Sequence, residues 1–153
     1  MKKLYDKDSY LKEFQAAVIS CEQKNEETWR VVLDRTAFFP EGGGQTGDTG
    51  WLNEIPVTDT REKAGVIYHE VKEPLEPGTQ AAGKIDFAVR YDKMQQHTGE
   101  HILSGIVCAA YGYNNVGFHM NDTLITLDVD GPLTEENIKE VVHYILHVKS
   151  FAK

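Results

Sequence analysis

The chain has 153 residues, 41% hydrophobic and 26% charged, with a formal net charge of −8. That length fits one compact domain or two small ones, and the 10% aromatic content excludes a disordered polar chain. The acidic balance excludes affinity built on a broad cationic field for nucleic acid, while leaving room for a local basic groove.

Cys21 and Cys108 form no CxxC pair and are too few for a disulfide framework, which fits a reducing compartment. No run approaches the roughly 18 apolar residues that suggest a membrane span. The opening Met1-Lys2-Lys3-Leu4-Tyr5-Asp6 is not followed by the apolar stretch of a secretory signal. A soluble cytoplasmic protein without a membrane partner is expected.

Along the chain, Phe14–Ser20 and Thr28–Asp34 read as strands rich in β-branched and aromatic residues, separated by the polar stretch Cys21–Glu27. Ile55–Thr60, Gly65–Val71 and Ala81–Phe87 repeat that style, with a turn at Glu73-Pro74-Leu75-Glu76-Pro77-Gly78. Strands at this spacing suggest a small barrel. Charge is spread evenly on either side of Arg90, but the hydrophobic period changes there. Met94, His97 and His101 share one helical face, and Leu103, Ile106, Val107 and Ala110 give an adjoining apolar stripe. The spacing predicts no long helix before Tyr91, and a stop near Tyr111-Gly112 with glycine at the C-cap. Strands Asn115–Met120 and Thr123–Asp130 follow, joined at Asn121-Asp122. Asp130-Gly131-Pro132 turns the chain, and Thr134 caps a final helix. The fold class is α+β, with a small N-terminal β-barrel over residues 1–90 and an α+β two-layer domain over 91–153.

Glu41-Gly42-Gly43-Gly44-Gln45-Thr46-Gly47-Asp48-Thr49-Gly50 holds five glycines in ten residues. Gly42, Gly44 and Gly47 formally match GxGxxG, but no helix start follows to face a pyrophosphate, and no Gly-Lys-Ser/Thr makes a P-loop. Two readings remain, a flexible hairpin loop or a cradle for a ligand. The cradle is preferred, because glycines let a ligand approach backbone N–H groups closely.

His97-Thr98-Gly99-Glu100-His101 puts two imidazoles one helical turn apart, within reach of one zinc ion. It is not the zincin HExxH, whose general-base glutamate directly follows the first histidine. Two ligands leave a tetrahedral site unfinished. His143 and His147 repeat the spacing among apolar neighbours and read as solvent-facing or half-buried rather than as a second metal site. His119 reads as a pocket residue.

Two of these segments together resemble one family. Thr36–Gly50 is similar to the glycine-rich signature of alanyl-tRNA synthetase editing domains, and Met94-Gln95-Gln96-His97-Thr98-Gly99-Glu100-His101-Ile102-Leu103-Ser104 to their metal-binding helix. The freestanding alanyl-tRNA editing proteins resemble it most, since Tyr5-Asp6-Lys7-Asp8-Ser9-Tyr10-Leu11-Lys12-Glu13-Phe14 echoes their opening pattern. The resemblance implies a hydrolase that deacylates mischarged alanine tRNA, seryl- or glycyl-tRNA, at the acceptor end. It implies a barrel followed by an α+β editing domain, with zinc between them. His97 and His101 match the first two zinc ligands. Gly43, Gly44, Gln45 and Thr46 match the loop lining the amino-acid pocket, and Gly117-Phe118-His119 resembles the strand facing it, so Phe118 and His119 join the substrate-binding set. The family completes its zinc site with a later Cys-x-x-x-His motif that this sequence lacks. The site is therefore expected to be incomplete in this chain, as in a truncated form or fragment, the alternative being a natural two-histidine or metal-free site.

Ester hydrolysis suits these parts. Zinc can polarise a carbonyl, acidify a bound water or orient the aminoacyl amine, and loop N–H groups can stabilise an oxyanion. No side chain stands out as the catalytic general base, and helical geometry is expected to turn Glu100 away from His97. Accepting serine while rejecting alanine requires a hydrogen bond to the hydroxyl, from Thr46 or Gln45. Two further functions compete: a catalytically inactive tRNA- or aminoacyl-binding module, and a small metalloprotein with a non-tRNA substrate. Oligomeric state is not legible.

Overall fold

In a computed structural model the described residues are 1–120 and 124–148, with side chains described through residue 146. The chain divides into two compact units, Met1–Lys93 and Met94–Lys153.

The first unit holds strands β1 (Lys2–Lys3), β2 (Glu13–Asn25), β3 (Thr28–Leu33), β4 (Arg35–Thr36), β5 (Gly50–Leu52), β6 (Ile55–Lys63), β7 (Val66–Val71) and β8 (Gln80–Ile85). Six of them close an antiparallel barrel in the order β2-β3-β7-β6-β5-β8, and β1 pairs in parallel with β4. The reason is period-2 alternation: Phe14, Ala16 and Val18 on β2, and Ala81, Gly83 and Ile85 on β8, point inward while their neighbours are largely exposed. With Val31, Leu33, Phe38, Leu52, Val57 and Val71, the apolar side chains of that inward set form one core. Phe38 meets Phe14 edge-on at 5.8 Å between ring centroids. Burying such an aromatic contributes about 2–3 kcal/mol.

His69 is fully buried in this barrel. Its Nδ1 lies 3.0 Å from the Val31 carbonyl, an acceptor only, so Nδ1 carries the proton. Nε2 then accepts from Thr36 Oγ1 at 2.8 Å. Burial pushes the imidazole pKa down to about 4, against a smaller upward effect of the Val31 hydrogen bond.

Two expectations need correction. The polar stretch Cys21–Glu27 is not a separator, because β2 runs on to Asn25. There Glu22, Gln23 and Asn25 stay in register with Arg30, Trp29 and Thr28. This end of the hairpin is largely solvated, so backbone pairing holds it with little apolar content. The first helix, α1 (Phe87–Tyr111), starts before Tyr91, inside what reads as the end of a strand. Asp86 caps it, accepting the Val89 N–H at 3.3 Å. The apolar first turn, Phe87-Ala88-Val89, disguised the start.

The second unit contains the rest of α1, the hairpin β9 (Asn115–Met120) with β10 (Ile125–Val129), and α2 (Glu135–Val148). Gly112, at φ 75°, ends α1 by donating to the Cys108 carbonyl at 2.9 Å. Thr134 caps α2 through the Asn137 N–H at 3.2 Å, and Asn137 Oδ1 returns the contact to the Thr134 N–H at 3.0 Å. The turn expected at Asn121-Asp122 lies outside the described residues. Among those residues no helix is long and apolar enough to cross a membrane.

Candidate functional site

The glycine-rich segment is a tight turn. Gly42 and Gln45 exchange two backbone hydrogen bonds of 3.0 Å, and Gly43 and Gly44 occupy the centre at φ 58° and 78°. Positive φ at both central positions is the geometry of a type I′ hairpin turn, so these glycines serve backbone shape first. Gly43 and Gly44 are exposed, and their N–H groups meet no acceptor among the described residues. Thr46 is exposed and Gln45 buried, so of the two proposed hydroxyl partners only Thr46 stands at the surface.

Buried charge secures the base of this turn. Asp48 is 1% exposed and Arg90 3%. Asp48 Oδ2 accepts the Phe39 N–H at 2.6 Å, Arg90 Nε at 2.8 Å and Arg90 Nη2. The guanidinium also donates to the Ala37 carbonyl at 2.6 Å and the Ser9 carbonyl at 2.8 Å. Lys93 Nζ caps the Gly47 carbonyl at 2.9 Å. Gly47 itself is required by close packing, since a Cβ there would lie 2.1 Å from the Thr60 carbonyl oxygen. Arg90 and Lys93 escaped the sequence reading. Their only signal was two cations in the first turns of a helix whose start was misplaced.

In the second unit, His97 and His101 stack on α1 with ring centroids 4.9 Å apart and planes 17° apart. The His97 ring also lies 5.3 Å from that of Phe118 on β9. His119 is exposed and, as the next residue along the strand, points to the opposite sheet face from Phe118. Thus Phe118 joins the histidine pair and His119 does not. Glu100 corrects an expectation, because it is not turned away. Donor atoms of His97, Glu100 and His101 all lie within 4.8 Å of one another. Glu100 stands three residues after His97, and positions three apart are neighbours on a helix surface, so the spacing itself places the carboxylate beside the ring.

Imidazole nitrogens are ligands zinc accepts, and a carboxylate beside a ligating histidine either completes the donor set or accepts the ring's second N–H. The donor chemistry therefore fits zinc. Cys108 lies seven residues beyond His101 on the same helix, and no cysteine among the described residues joins the group. His143 is exposed on α2, and the His147 side chain lies outside the described residues.

A closed barrel carrying a glycine turn and an α+β unit bearing paired helical histidines are the two parts that the resemblance to editing domains implies. Residues 6–89 match the family model described as tRNA synthetases class II (A). The alanyl-tRNA editing protein AlaX-L of Pyrococcus horikoshii is 38% identical over 91% of this chain and 36% of its own length. The alanyl-tRNA editing protein Aarsd1 of Mus musculus is 30% identical over 90% of this chain and 37% of its own. An alanine–tRNA ligase of Pyrococcus furiosus is 38% identical over 90% of this chain and 16% of its own. The chain belongs to the class II alanyl-tRNA synthetase family, in its AlaX-type editing group. It spans little more than a third of the length of those editing relatives.

Proposed function

We propose that this chain takes part in trans-editing: it hydrolyses the aminoacyl ester of mischarged alanine tRNA, with seryl- and glycyl-tRNA as substrates. The observation that carries this reading is the stacked His97–His101 pair with Glu100 beside it, on α1 of an editing-family chain. When bound there, zinc would supply Lewis-acid polarisation of the ester carbonyl or an activated water.

The chain's own residues carry the rest. His97 and His101 would hold the ion, and Phe118 packs against His97 and restricts its ring. The Gly43 and Gly44 N–H groups are donors suited to a carboxyl or carbonyl oxygen that gains negative charge. Thr46 offers a hydroxyl to the seryl side chain, which tells serine from alanine by a hydrogen bond that alanine cannot make. Arg90, Asp48 and Lys93 keep the turn fixed, so its donors need no reorganisation on binding. The partner is the acceptor end of the tRNA. With a net charge of −8, binding to the rest of the tRNA is weak and falls steeply with salt.

The test is incubation of the zinc-loaded chain with seryl-tRNA bearing the alanine identity, following free serine. Zinc-dependent release supports the reading. Retention of tRNA without turnover supports an inactive binding module instead.

A further inference from the structure

Glu100 is a buried carboxylate beside an exposed histidine. Its side chain is 2% exposed, whereas that of His101 is 71% exposed. A carboxylate taken out of water costs several kcal/mol unless its oxygens are satisfied, so an apolar residue would suit this place better if packing alone were at stake. One oxygen is fully engaged. Glu100 Oε1 accepts the Ser104 hydroxyl and the Asn115 amide, the latter at 2.6 Å. The Asn115 amide is itself oriented, because its Oδ1 accepts the Gly117 N–H at 2.9 Å and so turns Nδ2 towards Glu100. The other oxygen, Oε2, lies 3.5 Å from His101 Nδ1, a distance that a small rotation of the exposed ring closes to a hydrogen bond.

We propose that Glu100 is the positioning residue of His101, with Asn115 and Ser104 holding the carboxylate so that Oε2 accepts a hydrogen bond from Nδ1–H and Nε2 is left as the metal-facing nitrogen. The backbone of β9, through Gly117 and Asn115, thereby sets the tautomer of an imidazole on α1. Histidine ligands commonly donate their second nitrogen to a carboxylate, which fixes the ring and raises its basicity, and removing such a partner weakens metal binding 10–100-fold. The proposal rests on the zinc reading above. It adds that Glu100 acts through His101 and is not a ligand itself.

The test uses the 153-residue chain, its Glu100→Gln and Asn115→Ala variants, and His101→Ala as the ligand-loss reference. Three quantities are read: zinc affinity by competition with a chromophoric chelator, the visible spectrum of the cobalt(II)-loaded chain, and the thermal midpoint without metal. Glutamine keeps the shape, and its carbonyl can still accept from Ser104 and Asn115, but it then presents an N–H donor to His101 Nδ1 and favours the other tautomer. Glu100→Gln is expected to weaken zinc binding about 10–100-fold, with cobalt band positions and the metal-free midpoint unchanged. Asn115→Ala should shift affinity the same way by less, and decides the matter by the same criteria if Glu100→Gln fails to fold. Wild-type affinity in both variants overturns the positioning role and leaves the zinc site standing. Displaced cobalt bands in Glu100→Gln make Glu100 a ligand and also overturn it. A wild-type chain that binds no zinc overturns both this proposal and the metal reading beneath it.

Discussion

The two units are built at different densities. In Met1–Lys93 a continuous apolar core lines a closed barrel, and even charged groups are drawn inside and paired, as with Asp48 and Arg90. In Met94–Lys153 the only hydrophobic side chains buried among the described residues are Val107, Met120 and Val141, while Ile102, Val142 and Tyr144 are 52%, 46% and 58% exposed. The barrel is held by apolar packing, and the histidine face of α1 is organised by polar contacts instead. Stability and ligand binding are thus expected to separate: mutations in the barrel should read out as unfolding, and mutations near the histidines as lost metal.

The largest effect should follow from breaking the buried ion pair. Asp48→Ala strands the Arg90 guanidinium and the Phe39 N–H, and should destabilise the first unit by about 3–5 kcal/mol in urea denaturation. A loss below about 1 kcal/mol would make that pairing incidental. Next comes pH. The folded His69 pKa of about 4 lies below the ordinary 6.5, so the unfolded chain binds the extra proton in that interval. Stability is therefore full above pH 6.5 and declines as pH falls towards 4, by about 3 kcal/mol in total. Glu70 and Asp34, whose carboxyls are held below their usual range despite partial desolvation, add losses only at the acid end. A urea series between pH 7 and 5 isolates the histidine, and a flat profile there would contradict its neutral burial.

Zinc should act on the other unit. At a hundredfold excess over the dissociation constant, stabilisation of about 2.7 kcal/mol is expected. Hydrogen exchange should report it on α1 and β9 and leave the barrel strands unchanged. Protection spread evenly over both units would erase the contrast between them. The smallest effect concerns the exposed turn. Thr46→Val removes one hydroxyl hydrogen bond, about 1 kcal/mol, and should slow seryl-tRNA cleavage several-fold while sparing glycyl-tRNA. Equal rates on seryl-tRNA would discard Thr46 as the discriminating group.

What could be read in advance follows the same division. Alternation at Phe14, Ala16 and Val18 announces an inward face because strand period is a local property. The HxxxH spacing on α1 is local too, and so is the Gly112 stop. By contrast, Arg90 meets Asp48 across 42 positions of sequence, and only closure of the barrel brings them together. Glu100 depends on Asn115, which belongs to a different element. The glycine segment was legible as special, yet the turn type required φ values that composition does not state. Polar β2 residues such as Gln23 hid a strand because pairing there is carried by backbone rather than side chains.

Deacylation of seryl-tRNA bearing the alanine identity, measured with the zinc-loaded chain beside its His97→Ala variant, addresses the central claim most directly. Serine release well above the spontaneous rate, abolished by chelation and by His97→Ala, is the expected result. Release no faster than spontaneous hydrolysis from a chain that holds stoichiometric zinc would contradict it.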